Sequence, residues 1–118
     1  GIVYHSNYLK YFERARTSLL NLIKIDQKQL LKKKKLRFVV RDVSVRYLKP
    51  AFLDDEINVS VVLRDVSKFA FEMNQEIHRF DERLVSGFVK SVCVEEKTKR
   101  LTKMPDQLFE LLKSHSIQ

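Results

Sequence analysis

From Tyr8 to Ile23 the apolar residues Tyr8, Tyr11, Phe12, Ala15, Leu19, Leu22 and Ile23 recur at three- and four-residue intervals, the rhythm of one helical face. Leu9 and Leu20 widen that stripe, so the pattern predicts a helix buried over much of its circumference. Asn7 is a competent N-cap, with Ser6 the neighbouring candidate. A second, shorter helix is expected from Asp26, as its cap, to about Leu31, with the run Lys32-Lys33-Lys34-Lys35 ending it as a loop.

At Phe38 the period changes to two. Val43, Val45 and Tyr47 alternate with Asp42, Ser44 and Arg46, and Pro50 ends that stretch. Ile57, Val59, Val61 and Leu63 form a second alternating set, and Phe69, Phe71, Met73 and Ile77 a third. Each predicts a half-buried strand of an antiparallel sheet, with hairpins around Asp65 to Lys68 and Phe80 to Arg83. The last strand, Leu84 to Val94, is apolar on both faces, which predicts a central or two-sided strand. Gly87 within it signals a bulge or the close approach of another backbone. After Pro105, Leu108, Phe109, Leu111 and Leu112 predict a short terminal helix. Strands are expected near 38–49, 56–65, 69–80 and 83–96. A long apolar helix beside one curved antiparallel sheet is an α+β layout.

The chain's 118 residues suit one domain and one core, and 44% hydrophobic residues exclude a disordered polymer despite 32% charged ones. A single cysteine, Cys93, forms no intrachain disulfide, and between Val92 and Val94 it reads as a small core hydrophobe; a cytoplasmic setting is the simplest expectation. The formal net charge of +8 fits an anionic partner: nucleic acid, lipid, or a phosphorylated small molecule such as coenzyme A. Basic residues gather at Lys32 to Lys35 and at Lys97, Lys99, Arg100 and Lys103, without the interleaved aromatics of a single-strand stacking platform. A solvated surface accounts equally for the first run.

His5 stands immediately before the long helix. A helix N-terminus presents unpaired N–H groups and partial positive charge, which stabilise a developing oxyanion, and an imidazole there can orient a carbonyl. The backbone N–H groups of Ser6, Asn7 and Tyr8 are the oxyanion candidates; Tyr4 can close the pocket or donate a hydrogen bond. The local pattern alone favours His5 as a flanking surface residue, and the side chains of Ser6 and Asn7 as caps. Glu13, beside Arg14 and Arg16 on the helix, is expected to form a buried or interfacial ion pair with arginine. His78 falls on a strand's polar face and His115 in the tail. No G-x-S-x-G elbow, Walker loop, dinucleotide fingerprint or Cys/His zinc cluster occurs, so no metal or cofactor is expected.

The opening Gly1-Ile2-Val3-Tyr4-His5-Ser6-Asn7-Tyr8-Leu9-Lys10-Tyr11-Phe12-Glu13-Arg14-Ala15-Arg16 resembles the signature of the YbgC and 4-hydroxybenzoyl-CoA thioesterase family. A weaker likeness continues through Phe38-Val39-Val40-Arg41, Tyr47-Leu48-Lys49-Pro50-Ala51, Leu53-Asp54-Asp55 and Val92-Cys93-Val94. The resemblance implies the hotdog fold, in which a curved antiparallel sheet wraps a central helix, and hydrolysis of an acyl-CoA thioester. It implies a site role for His5, and an aspartate seven residues earlier as general base or nucleophile; that position precedes Gly1. The family also has a strand before the signature, so residues 1–118 are expected to be a single hotdog domain lacking its first strand. Another hotdog lineage uses a helical carboxylate, which makes Glu13 the alternative.

Hotdog relatives join sheets edge to edge, so the resemblance implies a homo-oligomer, a dimer or a tetramer. Acyl-CoA is the expected substrate, acyl carrier protein an alternative partner, and Lys97, Lys99 and Arg100 candidates for the nucleotide phosphates. No nucleic acid partner is expected. Two rivals remain: a non-catalytic module that binds acyl-CoA or acyl carrier protein, and a hotdog dehydratase or hydratase. Against the second stands the absence of its His-x-Pro-Phe segment.

Overall fold

The computed structural model describes residues 5–117, and side chains from residue 7 onward. Helix α1 spans His5–Leu22, α2 Gln27–Lys34 and α3 Asp106–Ser114. The strands are β1 Leu36–Tyr47, β2 Asn58–Val66, β3 Ala70–Arg79 and β4 Glu82–Glu95. They form one antiparallel sheet in the order β1-β4-β3-β2. This is the expected α+β architecture. The two-sided apolar run of β4 is central, with β1 and β3 on its flanks.

α1 packs on one face of the sheet, and alternation decides which side chains meet it. Phe71, Met73, Gln75 and Ile77 of β3, with Val85, Gly87, Val89 and Cys93 of β4, are all buried. The core divides into two main clusters along α1. Tyr8 and Phe12 pack with Ala51, Ile77, Leu84 and Val85 at the helix's first half. Leu20, Ile23 and Ile25 pack with Phe71, Met73, Cys93, Met104 and Leu112 at the other end. The terminal helix closes that second cluster, as Pro105 and the spacing of its leucines predict.

Several local expectations are corrected. α1 already includes His5, so Ser6 and Asn7 lie in its first turn and do not precede it as caps. Leu22 is 77% exposed and Leu9 is also exposed, so the apolar stripe is narrower than the sequence suggests. The lysine run does not end α2 as a loop. Asp26 caps α2 through Lys28 and Gln29 N–H groups at 3.0 and 3.1 Å, but the helix continues to Lys34 and Lys35 takes a left-handed C-cap conformation. Lysine is a good helix former, and cations are favourable at a helix C-terminus.

Gly87 sits at no bulge. A Cβ there would lie 2.9 Å from Cε2 of Phe12, so glycine admits an aromatic ring, where the sequence suggested a bulge or another backbone. Cys93 is fully buried and burial pushes its thiol pKa up, as for a core hydrophobe. His78 is half-buried, where the strand pattern suggested exposure, because its Nε2 meets Glu76 Oε1 at 3.0 Å. No described helix is long and apolar enough to cross a membrane.

Candidate active site

The first turn of α1 is held from below by Tyr8. Its ring is buried, and its Oη accepts the Ala51 N–H at 3.0 Å. The Tyr47 ring lies 5.7 Å away, inclined by 47°. Ala51 follows Pro50 in the β1–β2 connection, and that connection is itself anchored: Leu48 and Lys49 N–H groups donate to Leu84 O at 2.8 and 3.2 Å. The segments Tyr47 to Ala51 and Leu53 to Asp55, dispersed in sequence from the opening signature, therefore gather beside α1's N-terminal half.

An ion-pair network stiffens this connection. Asp55 Oδ2 accepts from Phe52 N–H at 2.8 Å and from Arg79 Nη1 at 2.6 Å. Arg79 also pairs with Glu82, which takes Lys49 Nζ at 2.7 Å. The Phe52 amide first, and then Arg79, hold the Asp55 carboxyl below its ordinary pKa; Lys49 and Arg79 do the same to Glu82. Sequence reasoning singled out neither Arg79 nor Glu82. The signal was thin: charged residues flanking the two-residue hairpin at Phe80 and Asp81.

A second clamp fixes α1 further along. Gln75, 1% exposed on β3, donates from Nε2 to Phe12 O at 2.8 Å and accepts from Arg16 Nη1 at 3.0 Å. Burial lowers the Arg16 pKa, partly offset by Glu13. The side chain that accepts from Arg16 is thus an amide. Glu13 is exposed and forms no ion pair within 4 Å among the described residues, which corrects its reading as an ion-pair carboxylate. Glu13 and Arg16 instead rim a cavity of about 150 Å³ between α1 and β1, floored by Leu20, Phe38, Phe71 and Met73.

His5, Ser6, Asn7 and Tyr8 share the first turns of α1. Tyr4, and the side chains of His5 and Ser6, lie outside the described residues. Lys97, Lys99 and Arg100 are far from them. These follow β4, where Lys99 pairs with Glu96 at 2.8 Å and Glu96 with Arg37 at 2.6 Å. Glu96 N–H donates to Lys35 O at 2.9 Å, so the two basic clusters are neighbours. They occupy the sheet end opposite α1's N-terminus, in a molecule 44 Å long.

Solved structures share this arrangement. A Thermus thermophilus protein superposes with a TM-score of 0.88 at 22% identity, covering all of this chain and 87% of that one. A Synechocystis 1,4-dihydroxy-2-naphthoyl-CoA thioesterase does so at 0.86 and 17%, covering 96% and 84%. Such likeness defines the fold class, a hotdog domain. The sequence itself goes further. The model of the thioesterase-like superfamily matches residues 1–112. The acyl-CoA thioesterase YbgC of Haemophilus influenzae is 36% identical over 80% of this chain and 70% of its own length. The acyl-CoA thioester hydrolase YbgC of Escherichia coli is 33% identical over 80% and 71%. The chain belongs to the thioesterase-like superfamily, in the group of the YbgC acyl-CoA thioesterases.

Proposed function

We propose that this protein is a cytoplasmic enzyme that hydrolyses acyl-CoA thioesters to a free acid and coenzyme A. The observation that carries the reading is the Tyr8–Ala51 bond, which brings the family-like segments together beside the N-terminal half of α1. N–H groups at that terminus stabilise the oxyanion formed when the thioester carbonyl is attacked. His5, with Tyr4, orients the carbonyl. The aspartate expected upstream of Gly1 either takes a proton from the attacking water or attacks the carbonyl itself; the C–S bond then breaks and the thiolate leaves, taking up a proton. After direct attack, water hydrolyses the acyl-aspartyl anhydride to the free acid. A thiolate is a good leaving group, so a carboxylate and an oxyanion hole suffice.

The cavity of about 150 Å³ beside Glu13, with a mixed lining of Leu20, Phe38, Phe71 and Met73 below and Arg16, Thr17 and Ser91 around them, supports a seat for a small acyl group with a polar end. It also favours a second reading in which Glu13 supplies the carboxylate.

The basic turn at Lys97, Lys99 and Arg100 fits this reading only in an oligomer. β1 pairs with β4 alone among the described strands, and its other edge exposes Val39, Val40 and Val43, the last by 58%. A long apolar edge favours pairing with another strand. Antiparallel pairing of β1 with its copy sets one protomer's Leu36 end against the other's Tyr47 end. The basic turn of one protomer then approaches the other's α1 N-terminus, where it can meet the nucleotide phosphates of coenzyme A. A dimer, or a tetramer built from two such dimers, satisfies this, and acyl carrier protein is an alternative thioester donor.

The decisive experiment measures thioester cleavage. In a protein that includes the upstream segment, His5→Ala should lower kcat on the order of a hundredfold with the fold intact. Full activity of that variant defeats the role of His5. Full activity of residues 1–118 alone moves the carboxylate to Glu13. Binding of acyl-CoA without cleavage by the intact protein favours the non-catalytic module.

A further inference from the structure

The lysine run has no part in the chemistry above, yet it borders a groove with a mostly apolar floor. α2 and α3 lie side by side over Ile25, and Leu30, Leu108 and Leu111 floor a groove of about 310 Å³ between them. Ile25 is buried; the three leucines are half-buried. Lys24, Lys33 and Lys34 stand on its rim, all exposed. None of the three forms an ion pair among the described residues. Asp26 is the acidic residue lining the groove, and its Oδ1 already accepts the Lys28 and Gln29 N–H groups of the α2 cap.

Helix-dipole complementarity accounts for Lys33 and Lys34, in the last turn of α2, but not for Lys24. Lys24 instead occupies a turn with φ 72°, between α1 and α2. Three uncompensated cations around an apolar trough are complementary to a ligand with one hydrocarbon tail and one anionic head. Size narrows the choice. Helices of 8 and 9 residues make a trough roughly 12–14 Å long, about the span of one extended medium-length hydrocarbon chain.

We propose that this groove binds a single-chain fatty-acid anion, its hydrocarbon on Leu30, Leu108 and Leu111 and its carboxylate among Lys24, Lys33 and Lys34. Such an acid is of the class that thioester hydrolysis releases, so the groove can hold or pass on a product. It lies at the C-terminal end of α1, away from the catalytic turn, and its binding does not depend on the hydrolytic reading.

Calorimetric titration of the full chain tests this. Decanoate should bind saturably, and decanol, with the same tail and no charge, about tenfold or more weakly. From hexanoate to decanoate the affinity should rise by roughly fourfold per methylene, the gain from burying each CH₂. The double substitution K33E/K34E should weaken decanoate about tenfold while leaving thioester turnover unchanged. Equal binding of decanoate and decanol overturns the proposal, as does undiminished decanoate binding by K33E/K34E, or no saturable binding. Sedimentation with phosphatidylglycerol vesicles in the absence of decanoate binding also overturns it, in favour of a lipid surface. Turnover on an acyl-CoA is read separately, so failure of the groove and failure of the active-site reading give different results.

Discussion

The two ends of the sheet are built on opposite principles. At the end under α1's N-terminus, polar groups are matched inside the structure: Ala51 N–H with Tyr8, Arg79 with Asp55 and Glu82, Lys49 with Glu82. At the other end, Lys24, Lys32 to Lys35, Lys97 and Arg100 stand exposed, and Glu96 takes only Arg37 and Lys99. The first end is arranged to hold a helix terminus in place. The second leaves positive potential for something outside the chain. The contrast separates positioning, which needs satisfied and buried contacts, from attraction, which needs uncompensated charge.

That contrast can be broken most directly at Gly87. Gly87→Val forces new atoms against the Phe12 ring where even a Cβ stands at 2.9 Å, and should cost about 3 kcal/mol or more, read by urea denaturation. A cost below about 0.5 kcal/mol would mean that α1 is not held tightly.

Tyr8→Phe sharpens it further. The ring stays, but the buried Ala51 N–H loses its acceptor, at a cost of about 1–3 kcal/mol, and thioester turnover should fall as well. The paired control is Lys97→Ala at the open end, which should change stability by less than about 0.5 kcal/mol.

Acid should weaken both ends in the same sense. The folded pKa of Asp55 is lowered, chiefly by the Phe52 amide and Arg79, so its stabilising effect is complete above the ordinary carboxylate range near pH 4 and is lost as pH falls through the lowered value. Glu82 behaves alike, while Glu96 carries the same dependence at the open end. Asp55→Asn should therefore flatten the acid limb of Tm against pH below about pH 4; an unchanged limb would remove Asp55 from the network's contribution.

The smallest expected effect is a gain. Phe80 adopts φ 54° and is 83% exposed in the β3–β4 turn, a conformation that glycine tolerates without a Cβ clash. Phe80→Gly should raise stability by about 1 kcal/mol, measured as a higher urea midpoint.

The element order, the antiparallel sheet with its two-sided apolar β4, and the family were legible in the amino-acid sequence. Periodicity is a local property: the three- and four-residue spacing of α1 and the alternation of β1 to β3 follow from geometry repeated residue by residue. The Asp26 cap was legible for the same reason, since donor and acceptor are two and three residues apart. The opening signature likewise marked α1's N-terminus as the candidate site before any tertiary contact was known.

The pairings between distant residues came from tertiary packing. The partner of Tyr8 is Ala51, that of Arg16 is Gln75, and the space Gly87 leaves is filled by Phe12. Nothing in the local letters chooses Gln75 over Glu13 as the acceptor for Arg16. The choice is made because β3 delivers an amide to the buried side of α1 while Glu13 points to solvent. The two basic clusters, some sixty residues apart in the chain, become neighbours because β1 and β4 are antiparallel and in register from Leu36 opposite Glu95. Register and strand order are cooperative outcomes of packing the whole core, so they appear only when the chain has closed on itself.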